Sequence, residues 1–169
     1  MRKHNGMRPQ DIAILLKIVA NDDLNWKLIE LSTSLYISVS EISESLNRSQ
    51  IASLLDSSKK KVNRQSLFEF LEHGICYVFP QKPGALVRGL PTAHSHQLMK
   101  DHFKGEEIYV WPDKNGNLIG QQIDPFYPKQ VEAAKVDAIF YKLLALVDVI
   151  RIGRVREVNL ALSELKKMM

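Results

Sequence analysis

Sixteen residues, Leu31-Ser32-Thr33-Ser34-Leu35-Tyr36-Ile37-Ser38-Val39-Ser40-Glu41-Ile42-Ser43-Glu44-Ser45-Leu46, constrain this chain most. They contain two short helical patterns separated by a tight polar break. Leu31 and Leu35 stand four apart and share one face of the first helix, and Ile42 and Leu46 do the same in the second. Ile37 falls in the turn, where an apolar side chain can wedge between the helices and set their crossing. Ser38 is a good N-cap, and Glu41 three residues on completes an S-x-x-E capping box, so the second helix is predicted to open there. Val39, Ser40, Ser43, Glu44, Asn47 and Arg48 lie between its apolar positions. These short or hydrogen-bonding side chains on an outward face suit the reading of base edges.

Bulk composition narrows the partners. With 169 residues, 45% hydrophobic and 25% charged, the chain can build an ordinary core. A net charge of +4 leans toward polyanions, with the weight resting on where that charge sits. A single cysteine, Cys76, excludes an internal disulfide framework and multi-cysteine zinc sites, which points to a reducing cytoplasm. No apolar run is long enough for a signal peptide or a membrane span, so no membrane partner is expected.

Residues 1–8 carry Arg2, Lys3 and Arg8 and read as a basic arm. A first helix follows Pro9, burying Ile12, Leu15, Leu16, Ile18 and Val19 before Asn21-Asp22-Asp23 break it. A second is predicted from Leu24–Trp26 to Leu35, and the third to continue from Ser38 through Ile51, Leu54 and Leu55. Lys59-Lys60-Lys61, the densest positive run, comes directly after with Arg64, where phosphate contacts are expected. Asn63 is predicted to cap a helix over 64–73, stopped by Gly74. Ile75–Phe79 reads as a strand, Pro80–Gly84 as a turn and Ala85–Arg88 as a returning strand, with Lys82 near the tip. Strands at 108–111 and 118–123 bracket the hairpin signal Asp113-Lys114-Asn115-Gly116-Asn117. Val131–Ile150 reads as one long helix, apolar on more than one side, and Val155–Met169 as a final amphipathic helix.

The segment Ile37–Leu46 resembles the "I-S-x-S-E-[IV]-S-x-S-L" recognition helix of MarR-like bacterial winged-helix regulators. It departs at Tyr36, where that pattern favours Gly, and at Ser32, where it favours Ala. Glu69-Phe70-Leu71-Glu72-His73-Gly74 through Arg88-Gly89-Leu90-Pro91-Thr92-Ala93-His94-Ser95 is similar to a phrase in DNA-binding proteins of that kind, so the likeness covers roughly the first hundred residues. The resemblance implies a mainly α fold with small β-hairpins: a winged helix-turn-helix DNA-binding domain over 1–90 and a hairpin-containing linker with C-terminal helices over 91–169. It implies a transcriptional regulator, not an enzyme. The recognition helix would lie in the major groove of double-stranded DNA. Ser38, Val39, Ser40, Ser43, Glu44, Asn47 and Arg48 would face the bases, Lys59, Lys60, Lys61 and Arg64 the phosphates, and Lys82 and Arg88 on the wing the backbone or minor groove. A homodimer on a palindrome is expected, with the helices of 129–168 either forming its seam or closing the monomer core.

Other chemistry is sparse. His94, His96 and His102 form the histidine cluster, but alternate residues of an extended segment point apart and no carboxylate box joins them, so no metal is expected. Cys76 reads as core. No nucleophile elbow, phosphate loop or Rossmann fingerprint occurs, and no cofactor is expected. Two rivals stay open: a protein-interaction module such as an antitoxin or adaptor, and a regulator with a ligand pocket lined by Tyr109, Trp111, Phe126 and Tyr127.

Overall fold

A computed structural model describes residues 6–103 and 105–169; Arg2 and Lys3 of the basic arm lie outside them. The chain is mainly helical with one small three-stranded sheet. Helix α1 (Pro9–Asn21) is the central rod. Its first turn is closed by Asp11, whose carboxylate accepts the Arg8 backbone N–H at 2.8 Å. Helices α2 (Leu28–Leu35) and α3 (Val39–Ile51) pack on it and on each other through Leu31, Leu35, Ile42 and Leu46, all buried. Helix α2 starts at Leu28 and not near Leu24, because residues 24–27 form a turn that drops Trp26 into the core. Helix α3 ends at Ile51. Leu54 and Leu55 are buried beyond it in non-helical backbone, and Leu55 pairs with Val62 across an antiparallel bridge.

Helix α4 (Arg64–His73) spans the predicted range, although the Asn63 side chain makes no cap bond and donates to the Ser53 carbonyl at 2.7 Å instead; the strand expected at 75–79 is a helical turn, α5 (Ile75–Val78). Strand propensity loses to packing: the turn buries Ile75 against α8 and lets the Cys76 thiol donate to the Ile150 carbonyl at 3.1 Å. The hairpin built from 75–79 and 85–88 therefore does not exist.

Strand β1 (Leu86–Pro91) pairs along its first half with β3 (Leu118–Gln122) and along its second with β2 (Tyr109–Pro112), antiparallel to both. β2 and β3 run parallel to each other, closing a three-stranded barrel. The Asn-Gly segment does turn, with Gly116 N–H bonded to the Asp113 carbonyl, but it does not close the hairpin predicted between 108–111 and 118–123. It carries the chain across β1 instead, so tightly that a Cβ on Gly116 would sit 2.3 Å from the Gly89 oxygen. A short 3-10 turn (Ala93–Ser95) and helix α6 (Gln97–Lys100) follow β1 and seat the barrel on α8.

The long helix predicted over 131–150 is two helices, α7 (Gln130–Lys135) and α8 (Ala138–Ile152). Asp137 restarts the chain: its carboxylate caps the Phe140 N–H at 2.9 Å and takes Lys17 Nζ at 2.5 Å. The surplus apolar surface of α8, which pointed to a dimer seam, is consumed inside the chain by α1, α4, α5, α7 and α9 (Val155–Met168). One hydrophobic cluster runs from Ile12 to Leu165. Beneath the barrel, fully buried Asp148 accepts from Thr92 Oγ1 at 2.8 Å, Trp111 Nε1 at 2.7 Å and Arg151 Nη1 at 3.0 Å. Arg151 in turn donates to the Phe79 carbonyl at 3.0 Å. No helix among the described residues is long and apolar enough to cross a membrane.

Candidate functional site

The surface around α3 is built from three pieces: the 36–38 turn, the outer face of α3, and the 54–62 turn that follows it. Tyr36 ends α2 in the left-handed region (φ 56°, ψ 36°), and its N–H returns to the Ser32 carbonyl. A residue other than Gly, Asn or Asp is strained in adopting this conformation. The Ser32 hydroxyl adds a 2.6 Å bond to the Ile37 carbonyl. Ser38 then caps α3, its Oγ accepting the Glu41 N–H at 3.3 Å. The reciprocal half of the predicted capping box is not made, because the Glu41 carboxylate turns to Gln10 Nε2 at 2.7 Å and Arg8 at 3.7 Å.

The sequence-predicted residues divide sharply. Ser38, Val39, Ser40 and Ser43 are exposed along one strip of α3, with Glu44 and Asn47 half-buried beside them. Arg48 is not part of this face. It is 6% exposed and makes a two-pronged pair with buried Asp11, Nε to Oδ2 at 2.8 Å and Nη2 to Oδ1 at 2.7 Å. That carboxylate hydrogen bond outweighs burial and raises the guanidinium pKa further. The physical reason is position: Arg48 follows buried Ser45 by three residues, so it borders the inward stripe, and Asp11 waits there.

The lysine run likewise splits. Asp56 organises its turn by accepting the backbone N–H groups of Lys60 and Lys61 at 3.0 Å each and the Ser58 hydroxyl at 2.7 Å. Those bonds, the Ser58 hydroxyl first, hold its carboxyl below the usual range. Gln50 Nε2 ties the end of α3 to the Ser57 carbonyl at 3.3 Å. Lys59, in the left-handed region at φ 58°, reaches back so that Nζ meets Asn47 Oδ1 at 2.5 Å. Lys61 is exposed. Lys60 points the other way: its ammonium lies 4.1 Å from the Trp26 ring centre and donates to the Trp26 carbonyl at 2.5 Å, while Trp26 Nε1 bonds the Lys60 carbonyl at 3.2 Å.

Arg64 is engaged elsewhere too, with Asp22 at 2.8 Å and the Met168 and Met169 carbonyls at 3.2 Å each, and so clamps the loop after α1 to the end of α9. Lys82 and Arg88 are exposed: Lys82 lies in the irregular segment before β1, and Arg88 stands on β1 and donates to the Gly116 carbonyl at 3.1 Å. They do not extend the α3 surface. Thus Arg48, Lys60 and Arg64 serve the fold, while Ser38, Val39, Ser40, Ser43, Asn47, Lys59 and Lys61 are brought together. The residue the sequence reading missed is Asp56. Its Asp-Ser-Ser setting is an Asx-turn signature, and that signal was present.

The remaining candidates are structural. Tyr109, Trp111, Phe126 and Tyr127 are buried among the core side chains. Burial pushes the Cys76 thiol up, against a weaker opposing pull from Arg151. His94 Nε2 lies 2.9 Å from Glu157 Oε2, and the His96 ring stands edge-on to Tyr141 at 4.5 Å. Among the described residues no group of three or more His, Cys, Asp or Glu is arranged to hold a metal. No protein-family model, no curated protein and no solved structure matches the chain.

Proposed function

We propose that the chain is a winged helix-turn-helix protein that binds double-stranded DNA and regulates transcription, with α2 and α3 as the motif and α3 as its recognition helix. One observation carries the reading. An exposed strip of small, hydrogen-bonding side chains on α3 runs into a rigid turn that presents Lys59 and Lys61 at its end. Small polar residues can approach base edges, and lysines beside them can neutralise flanking phosphates. The wing in this reading is the turn closed by the Leu55–Val62 bridge, directly after α3, where a wing is wanted. The acidic side chain nearest the helix start, Glu41, is drawn back to Arg8 and Gln10, which lowers its repulsion of phosphate. Most of α8 is enclosed by its own chain, and Val136, Ile139 and Val155 remain exposed on the 129–168 segment for a homodimer on a palindrome.

The test is binding to mixed-sequence duplex DNA over a salt series. Affinity of the wild type should fall steeply with salt. A variant carrying both Lys59→Ala and Lys61→Ala should bind more weakly, with a log–log slope shallower by about 2, one unit per lost phosphate contact. Lys82→Ala should leave both quantities unchanged. Absence of binding at low salt overturns the proposal, and an adaptor that binds protein becomes the reading to pursue.

A further inference from the structure

We infer that Lys60 and Trp26 are positioning residues for DNA binding, a role that rests on the DNA reading above. Their mutual clamp holds the 54–62 turn against the start of α2, so that Lys59 and Lys61 meet phosphates in a fixed arrangement. Lys60 is the middle residue of the lysine run, and it is tied to Trp26 in both directions. Its ammonium lies 4.1 Å from the Trp26 ring centre and donates to the Trp26 carbonyl at 2.5 Å, while Trp26 Nε1 donates to the Lys60 carbonyl at 3.2 Å. The side chain of each residue bonds the backbone of the other. The tie therefore fixes the path of the turn and not only the place of one lysine. Trp26 is a firm anchor: it is 2% exposed, belongs to the hydrophobic core and stands directly before Lys27, the N-cap of α2.

The clamp closes a triangle. Helix α2 is joined to α3 through the 36–38 turn, and α3 to the 54–62 turn by Lys59 Nζ on Asn47 and by Gln50 on the Ser57 carbonyl. Trp26 and Lys60 supply the third side, from the turn back to α2. Ser53, just before the turn, and Lys59, within it, hold left-handed backbone at φ 60° and 58°. Residues other than glycine keep that conformation only where surrounding contacts over-determine it. Without the third side the turn is held through α3 alone, and the arrangement that binds becomes one among several. Affinity then falls in proportion to the fraction of molecules that hold it. The number of phosphate contacts does not change, so the salt dependence stays as it was. A lysine that touched phosphate itself would behave otherwise, since its loss makes the log–log slope shallower by about 1.

Binding to mixed-sequence duplex DNA is measured over a salt series with the full chain as wild type, Lys60→Met, Lys60→Arg and Trp26→Phe, each checked for unchanged helical content by circular dichroism. Methionine keeps the length of Lys60 and removes its cation, whereas arginine keeps a cation for the ring. Phenylalanine keeps a buried ring at position 26 and removes the Nε1 donor without altering any charge. Lys60→Met should lower affinity on the order of tenfold at the wild-type slope, and Lys60→Arg should recover most of the loss. Trp26→Phe should lower affinity about threefold, again at the wild-type slope. A slope shallower by about 1 in Lys60→Met, with Trp26→Phe binding like the wild type, makes Lys60 a phosphate contact and overturns the inference. Wild-type affinity in both Lys60→Met and Trp26→Phe overturns it as well, and leaves the DNA reading intact. If Trp26→Phe loses helical content, the two Lys60 variants decide: a loss with Met that Arg does not recover, or a changed slope, overturns it. If the wild type itself binds no duplex at low salt, the DNA reading falls and this inference with it.

Discussion

Two regions of this molecule place polar side chains in opposite ways. In the α2–α3 region Ser38, Ser40, Ser43 and Lys61 are exposed, Asn47 and Lys59 are half-buried, and the bonds among them run mainly to near neighbours in sequence, such as Ser38 to Glu41 and Lys59 to Asn47. In the barrel region the central polar group, Asp148, is buried completely and joins residues far apart in the chain, Thr92, Trp111 and Arg151. Burial pushes its carboxyl up, and Arg151, Thr92 and Trp111 pull the other way. The contrast teaches which polar groups remain for a partner. A buried, saturated cluster fixes the arrangement of elements, whereas an exposed one fixed locally offers its remaining donors to something else.

The sharpest way to break the contrast is at Gly89. A Cβ there would lie 2.0 Å from the Trp111 carbonyl oxygen, on backbone that cannot move aside, so Gly89→Ala should open the barrel and cost more than about 4 kcal/mol. Retention of the wild-type midpoint in urea unfolding would refute the close approach. Next in size is Asp11→Ala, which strands buried Arg48 without a partner and should cost about 3–5 kcal/mol by the same measurement. If Arg48 were a surface residue, the loss would stay near zero.

Smaller effects sharpen the local picture. Ser38→Ala removes the cap of α3 and should cost about 1 kcal/mol in thermal or chemical unfolding. Tyr36→Gly has the opposite sign: relief of the left-handed backbone should stabilise the fold by about 1 kcal/mol, since the Tyr36 side chain is 56% exposed and gives up little burial. Smallest in stability is Ser43→Ala, within about 0.5 kcal/mol of wild type, yet it should weaken DNA binding measured by anisotropy. A loss of stability without a loss of binding would move Ser43 into the fold and out of the proposed interface.

Much of the α2–α3 surface was legible because its cues are short-ranged. Apolar positions four apart placed α2 and α3, Ser38 placed the start of α3, and the outward positions Val39, Ser40 and Ser43 followed from helical spacing. Charge was harder to read. Arg48, Lys59, Lys60, Lys61 and Arg64 look alike as cations in a sequence, but Asp11, Trp26 and Asp22 claim three of them across gaps of 34 to 42 residues. The Asp56 turn sits between these cases, since its signature is local and readable but the direction it gives Lys59 is not.

By itself, then, the sequence determined the helices with strong periodicity, α1, α2, α3, α4 and α9, with the start of α3 fixed by its Ser38 cap. These depend on side chains within a few residues of one another, where hydrogen-bond reach and helical period settle the outcome. The tertiary structure alone decided that Ile75–Val78 coils instead of extending, and that Asp137 breaks one long helix into α7 and α8. It also decided that β2 and β3 run parallel on either half of β1. In each of these the local preference is weak or ambiguous, and burial against an element distant in the chain outweighs it.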